Sequence, residues 1–354
     1  MIAGVWGGRT VSESTLTSRI NAARKAVGDS GERQDLIRTI ARKGIRFVGE
    51  VREGAAPSTA AEPSPKPSPT AAAPSSDAQD VTFCRTSDGV SLAIASVGRG
   101  EPLVKAANWL THVEYDWESP LWSSFLHRLA EHRRLIRYDG RGNGLSDRNV
   151  EDISFDAFVR DLESVVDATG VPRAALLGIS QGAAVAIAYA VRHPERISKL
   201  VLHGAYAQGR NKRGSPADAE MARAFVSIMQ RGWGDEHSAF MRAFSSVYLP
   251  SGSAEQIKWF CDLQRITTSA ENAVRIRAAC DDIDVVDLLP QVRVPTLVFH
   301  SRNDSVAPFE QGRFIAASIP GARFITLESD NHMVLPGEPA WTKLLSEAET
   351  FLAE

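Results

Sequence analysis

Short apolar runs rich in β-branched residues alternate with longer segments of helical spacing over the carboxy-terminal part of the chain. Runs of this kind are typical of strands, and their alternation with helices predicts an α/β fold: a mostly parallel sheet with helices on both faces. The predicted sheet has eight strands, which are Val81–Arg85, Ser91–Ser96, Leu103–Ala107, Leu135–Asp139, Ala174–Ile179, Lys199–His203, Thr296–His300 and Arg323–Leu327.

The pattern changes between residues 207 and 290. No good strand run occurs there, and Met221, Phe225 and Met229 show the spacing of one helix face. We expect this segment to be a helical insertion that covers the sheet as a cap.

The first 53 residues have a pattern of their own. Leu16, Ile20, Ala23 and Val27 fall on one face of a predicted helix, and Gly28 suits its end. Two strand-like runs follow, Leu36–Ile40 and Ile45–Val48, which predict a hairpin with a basic tip.

Residues 54–80 contain six prolines among Ala and Ser and almost no large apolar residue. Such a segment favours extended polyproline II, so it is predicted to be a linker. The chain therefore divides into residues 1–53, the linker 54–80 and a main domain over 81–354 with its cap at about 207–290.

Charge is distributed unevenly along the chain. The formal net charge is −3, but residues 1–53 hold ten Lys and Arg against six Asp and Glu, so the first segment is +4 and the remainder −7. Three widely spaced cysteines indicate neither a disulfide framework nor a zinc site. No signal-like start and no membrane-length apolar run are evident, which predicts a cytoplasmic protein without a membrane partner.

A nucleophile motif follows the fifth predicted strand. Gly178–Gly182 matches G-x-S-x-G around Ser180, and the helical run Ala183–Ala190 comes directly after it. Glycines at these positions allow the tight turn that exposes a serine oxygen at a helix amino terminus. Ser180 is therefore the predicted nucleophile.

A serine nucleophile needs a base to take its proton and an acid to orient that base. Asp304 follows the strand Thr296–His300, and His332 follows the strand Arg323–Leu327. The order Ser, Asp, His is the one expected when each residue lies at a strand end. Asp330 is the alternative acid, although its position two residues before His332 is poor for reaching the ring.

At these residues the chain resembles the α/β-hydrolase superfamily, over about residues 81–354. Asp139–Ser146 is similar to the family's D-x-R-G-x-G-x-S element, and Arg302–Pro308 to its acid loop. The resemblance implies an α/β-hydrolase fold and a serine hydrolase that cleaves an ester, lactone, thioester or carbon–carbon bond through an acyl-enzyme on Ser180. It implies no metal and no organic cofactor, and the serine disfavours relatives that use an aspartate nucleophile.

The family's oxyanion hole uses two backbone N–H groups. Gln181 supplies the first, whereas Asn108-Trp109 replaces the usual His-Gly pair, so the second comes from Leu110 or Trp109. A small apolar acyl substrate is expected. The candidate pocket residues, which could equally be core residues, are Asn108, His112, Trp233 and Trp259.

The first segment resembles the second half of an OmpR/PhoB-type winged-helix DNA-binding domain. The resemblance implies that the helix enters the major groove and that the hairpin wing contacts the backbone. The DNA-contacting candidates are Arg19, Arg24 and Lys25 on the helix, and Arg42 and Lys43 on the wing. The alternatives are a partial winged-helix remnant, or a piece that pairs with a second copy in a homodimer.

Two functions follow from these expectations. The first is a serine esterase whose triad acts on a small molecule. The alternative is a ligand-sensing transcriptional regulator, in which the hydrolase fold binds the small molecule and the winged helix binds DNA.

Overall fold

The computed structural model divides the chain into two compact units, Met1–Ala71 and Ala72–Glu354. The residues that the structure describes are 20, 24, 29, 33–40, 44–48, 78–235 and 238–354. All the predicted reactive residues belong to the second unit.

In the first unit, the predicted hairpin is confirmed. Strands β1 (Ile37–Ile40) and β2 (Gly44–Phe47) pair antiparallel. The carboxylate of Asp29 accepts three backbone N–H bonds at the start of β1, at 2.8 to 3.0 Å, and so fixes the entry into the hairpin. Whether this hairpin is the wing of a winged helix stays a prediction.

Arg24 corrects one expectation about this unit. Its backbone is helical and its side chain is buried, with the guanidinium donating to the Ile37 carbonyl at 3.0 and 3.1 Å and to the Thr39 hydroxyl at 2.9 Å. Because these bonds tie the helical residue to the hairpin, the side chain is turned into the segment and not toward DNA. The other DNA candidates lie outside the described residues: Arg19, Lys25, Arg42 and Lys43.

The second unit is built on an eight-stranded sheet, as predicted. Its strands are β3 (Asp80–Arg85), β4 (Ser91–Val97), β5 (Glu101–Lys105), β6 (Arg133–Tyr138), β7 (Ala174–Ile179), β8 (Ile197–His203), β9 (Thr296–Ser301) and β10 (Arg323–Leu327). The order across the sheet is β10-β9-β8-β7-β5-β6-β4-β3. Pairing is parallel from β10 to β6, and β4 then pairs antiparallel with both β6 and the edge strand β3.

The burial of the strands explains why their apolar runs could be identified in the sequence. Every residue of β7 and β9 is buried, as parallel strands covered by helices require, whereas the edge strand β3 is largely exposed. The helices of the core are α1 (Val113–Trp117), α2 (Ser123–Ala130), α3 (Phe155–Ala168), α4 (Gln181–Arg192), α9 (Phe309–Ser318) and α10 (Pro339–Ala353). Single 3-10 turns cover Pro194–Arg196 and Val286–Gln291.

The segment predicted as a cap contains four helices. They are α5 (Pro216–Gly232), α6 (Ala239–Tyr248), α7 (Ala254–Thr267) and α8 (Ala270–Asp281). Each begins with a serine whose side chain accepts a backbone N–H of the first turn, which sets the helix starts locally. An antiparallel bridge between Gln208 and Asp284 closes the base of the cap.

The cap is hydrogen-bonded to the core at its far end. The Thr268 hydroxyl donates to the Gly142 carbonyl at 2.6 Å, and the Gly144 N–H donates to the Thr267 carbonyl at 2.9 Å. Among the described residues, no helix is both long and apolar enough to cross a membrane.

Candidate active site

Ser180 sits on a sharp turn between β7 and α4. Its backbone has φ 56° and ψ −130°, a conformation that residues other than glycine rarely adopt. The turn is held by a bond of 2.9 Å from the Ser180 N–H to the His203 carbonyl at the end of β8. A serine held in this strained conformation between a strand and a helix has the geometry of a nucleophile elbow.

The two glycines of the motif are required by close packing. A Cβ on Gly178 would lie 2.6 Å from the Cα of Ala183, and a Cβ on Gly182 would lie 2.7 Å from the carbonyl oxygen of Ala107. Both distances are far below van der Waals contact with backbone atoms that cannot move easily. The G-x-S-x-G spacing therefore lets strand, turn and helix approach one another around Ser180.

His332 and Asp304 meet at the neighbouring strand ends. Nδ1 of His332 lies 2.6 Å from Oδ2 of Asp304, and both side chains are buried. The other carboxylate oxygen accepts the N–H groups of Val306 and Ala307 at 2.8 and 3.0 Å. Burial raises the pKa of Asp304, but the His332 imidazole and these hydrogen bonds outweigh it and hold the pKa below its usual value.

The ring of His332 keeps its second nitrogen available. Nε2 is buried, has no hydrogen-bond partner among the described residues, and lies in the wall of the same pocket as Ser180. The His332 N–H donates to the Tyr248 carbonyl of the cap at 3.0 Å. A ring with Nδ1 held by a carboxylate and Nε2 free can accept a proton from a serine.

Gly204 gives the histidine its room. It follows β8 with φ 56°, and a Cβ there would lie 2.9 Å from Cε1 and 3.2 Å from Nδ1 of His332. Any larger residue would push the imidazole away from Asp304. The close approach was not foreseen from the sequence, because a single glycine after a strand carries no such signal by itself.

The predicted oxyanion donors belong to two segments, the start of α4 and the loop after β5. The N–H of Gln181, at the first position of α4, forms no hydrogen bond with another described residue. The Trp109 N–H donates to Oε1 of Gln181 at 2.8 Å, so it is already used. Leu110 has a positive φ of 47°, and its N–H has no partner among the described residues.

Comparison with known proteins gives a consistent result. The family model for the alpha/beta hydrolase fold matches residues 115–339. The chain belongs to this family. Family membership makes it an enzyme of the hydrolase class, of the esterase-like kind.

Individual relatives extend the match beyond these bounds. AB hydrolase superfamily protein YisY of Bacillus subtilis is 25% identical over 253 residues, which cover 71% of this chain and 91% of that protein. Pimeloyl-[acyl-carrier protein] methyl ester esterase of Nitrosomonas europaea is 25% identical over 248 residues, 68% of this chain and 92% of that protein. An esterase structure from Exiguobacterium antarcticum superposes with a TM-score of 0.65 at 23% identity, over 77% of this chain and 99% of that one.

The pocket of this α/β hydrolase is narrow and mainly apolar. Asn108 and Trp109 belong to its wall, as expected, together with Ser180 and His332. The other wall residues are Trp122, Ile179, Tyr248, Phe260 and Met333. Tyr248 and Phe260 carried a usable signal in the sequence, because both are aromatic residues of the predicted cap.

Three predicted pocket residues lie elsewhere, which corrects the expectation. Nδ1 of His112 accepts the Tyr115 N–H at the start of α1, and burial lowers the pKa of His112 to about 4. Trp259 stacks on Tyr115 with ring centroids 4.8 Å apart. Trp233 donates through Nε1 to the Thr268 carbonyl at 3.0 Å and presents its edge to Trp109, so it packs behind the pocket wall.

The loop Asp139–Ser146 packs beside the segment that follows β5. The carboxylate of Asp139 accepts the N–H groups of Val113 and Leu145, each at 2.9 Å, and burial raises its pKa well above the usual value. Arg141 is fully buried and pairs with Asp161 at 2.7 Å. These contacts give the D-x-R-G-x-G-x-S element a structural role beside the site.

Two further histidines surround the acid and were not singled out from the sequence. Nε2 of His300 lies 2.9 Å from the Ala307 carbonyl and 3.6 Å from Oδ2 of Asp304. His203 is fully enclosed, and burial together with His332 and His300 lowers its pKa to about 3. Both rings are therefore neutral near pH 7. Their position as the last or next-to-last residues of β8 and β9 was the available signal.

Proposed function

We propose that the chain is a serine hydrolase that cleaves a carboxylic ester, or a related lactone, thioester or carbon–carbon bond, through an acyl-enzyme on Ser180. The observation that carries the proposal is the buried contact of 2.6 Å between Nδ1 of His332 and Oδ2 of Asp304. It leaves Nε2 free in the pocket that also contains the strained serine.

The proposed reaction has two halves. In the first, the Ser180 hydroxyl oxygen bonds to the substrate carbonyl carbon while Nε2 of His332 takes its proton. The bond to the leaving group then breaks, and His332 returns that proton to the departing atom. In the second half, a water attacks the acyl-enzyme with His332 again as base, and the acid and Ser180 are released.

The negative charge on the carbonyl oxygen needs donors already in place. We assign them to the Gln181 and Leu110 N–H groups. Trp109 is the weaker choice, because its N–H is donated to the Gln181 side chain. The positive φ of Leu110 supports the assignment, since a strained backbone that persists in a buried loop commonly serves a site.

A small, apolar acyl group suits the pocket. Its wall is made largely of Trp109, Trp122 and Phe260, and the serine is only 6% exposed. The Nitrosomonas europaea relative is named as a methyl ester esterase, which favours an ester over the other bonds. The proposed chemistry needs no cofactor. We also propose a cytoplasmic location.

The first experiment is mass spectrometry of the purified chain after reaction with a fluorophosphonate. We expect one adduct on Ser180, lost in Ser180→Ala and in His332→Ala. Ser246→Ala is the matched control, because that serine is exposed on the cap and should leave labelling unchanged. A folded wild-type chain that gives no adduct would overturn the proposal.

The regulator alternative makes a different prediction. If the fold only senses a ligand, Ser180→Ala should retain ligand-dependent DNA binding, and no ester should be turned over. The intact arrangement of Ser180, His332 and Asp304 favours catalysis, since binding alone does not require an oriented base. DNA-binding assays on the full chain, with and without candidate ligands, separate the two.

A further inference from the structure

Asn108 places a side-chain amide in the wall of the Ser180 pocket. Its Oδ1 accepts a hydrogen bond from Nζ of Lys105, three residues earlier at the end of β5. An ammonium group has donors only, so the amide must turn its oxygen to Lys105 and its nitrogen the other way. The chemistry of the pair thereby fixes the orientation of Asn108.

Lys105 is an unusual residue to bury. It is 5% exposed, its Nζ lies 5.4 Å from the ring centroid of Trp122, and the charged groups around it are Asp116, Arg137 and Asp139. Burial lowers the pKa of Lys105 to about 8, which still leaves it mainly protonated at neutral pH. A buried cation is costly, and the proposed reaction assigns it no role.

The amide nitrogen of Asn108 is available to a ligand. It donates no hydrogen bond to another described residue. Beside Asn108, the wall residues with polar side-chain groups are Ser180, His332, Tyr248 and the indoles of Trp109 and Trp122. Ser180 and His332 are occupied by the reaction. Asn108 also lies two residues before Leu110, the proposed oxyanion donor. A ligand bound in the Ser180 pocket therefore lies against the wall that Asn108 helps to form.

We propose that Nδ2 of Asn108 donates a hydrogen bond to an oxygen on the acyl chain next to the scissile carbonyl, and that Lys105 is the positioning residue that orients it. The substrate class is then esters of short carboxylic acids that carry an ether, hydroxyl or keto oxygen beside the carbonyl. This inference rests on the proposed acyl transfer at Ser180.

The test uses two esters of nearly equal shape, 4-nitrophenyl methoxyacetate and 4-nitrophenyl butyrate. They differ by an ether oxygen in place of one CH₂. The readout is the ratio of their kcat/KM values in wild type and variants, so the greater intrinsic reactivity of the methoxyacetate ester cancels. Asn108→Asp keeps the shape and the acceptor for Lys105 but removes the donor.

We expect the ratio to fall about 10-fold in Asn108→Asp, the size of one lost hydrogen bond. In Lys105→Met the amide loses its orienting cation, and we expect the ratio to fall about 3-fold. The control variant should leave the ratio unchanged. That control is Asn211→Asp, because Asn211 is exposed on the cap and bonded to Asp282 at 2.9 Å. Melting temperatures of all variants show whether each is folded.

Each outcome has one meaning. An unchanged ratio in folded Asn108→Asp overturns the inference. An equal loss for both esters also overturns it, since the amide would then serve the oxyanion. Fluorophosphonate labelling of Ser180 in the same variants separates this failure from failure of the proposed hydrolase: labelling with an unchanged ratio rejects only the role of Asn108.

Discussion

The two halves of the pocket are held in different ways. On the sheet side, Ser180, Asp304 and His332 follow strand ends and are fixed by buried hydrogen bonds such as Ser180 N–H to the His203 carbonyl. On the cap side, α6 and α7 contribute Tyr248 and Phe260, which act mainly through apolar contact. In the proposed hydrolase, the sheet side therefore holds the reacting groups, and the cap side lines the space for the acyl group.

The sharpest test of the sheet side is Asp304→Asn. The amide keeps the shape of the carboxylate but favours the wrong tautomer of His332, so kcat should fall about 10,000-fold. Steady-state kinetics on a 4-nitrophenyl ester measures it. Asp330→Asn is the control, because Asp330 is exposed and bonded to Asn303. A large loss in Asp330→Asn with little in Asp304→Asn would reverse the assignment of the acid.

The cap side is tested by two neighbouring aromatic residues. Phe260→Ala removes a fully buried ring and should cost about 3–5 kcal/mol of unfolding free energy, while shifting preference toward longer acyl chains. Trp259→Ala, on the next residue, removes a ring that stacks on Tyr115 outside the pocket and should leave chain-length preference unchanged. Urea unfolding and a series of ester lengths measure both effects. The same shift in both variants would contradict the described pocket wall.

Gly204 tests how closely the sheet side is fitted. In Gly204→Ala the new methyl group would meet the His332 ring, and we expect about a 10- to 100-fold loss of kcat/KM from a misplaced base. Gly170→Ala is the matched control, because Gly170 also has a positive φ but has open space around it. Both variants should lose about 1 kcal/mol of stability. Equal activity in the two would show that the ring has room to adjust.

The smallest expected effect concerns His203 and pH. Its pKa of about 3 in the folded chain lies below the ordinary value near 6.5, so the unfolded chain binds one more proton between these values. Stability should therefore fall as pH drops through this window, by about 2 kcal/mol between pH 7 and pH 5 from this residue. His203→Gln should remove that share of the loss in urea titrations. Replacing the exposed His132 by Gln should not.

The sequence predicted the sheet well, for a clear reason. Parallel strands buried on both faces are continuous apolar runs, and all eight predicted runs are strands of the sheet. The proposed reactive residues could be named because each lies in the loop that follows a strand, and the carboxyl ends of parallel strands meet at one edge. The hairpin of the first unit was found by the same reasoning, although its role as a wing stays a prediction.

The cap residues show where such reasoning stops. Adjacent residues on a helix point about 100° apart. To tell that Phe260 lines the pocket and Trp259 does not therefore required the rotation of α7 against the sheet, which no local pattern contains. The same limit applies to Arg24, which was expected to contact DNA. Its side chain is hydrogen-bonded to the hairpin, a contact that no local pattern contains.

The sequence by itself determined the order and type of the elements and allowed the candidate reactive groups to be named, because hydrophobic period, turn glycines and strand ends are local properties. Tertiary structure alone decided the contact of His332 with Asp304, the close approach of Gly204 and the burial of Lys105 against Asn108. These join residues from different loops, and their distances depend on how helices and strands pack. Packing fixes such distances to fractions of an ångström, which no spacing along the chain can specify.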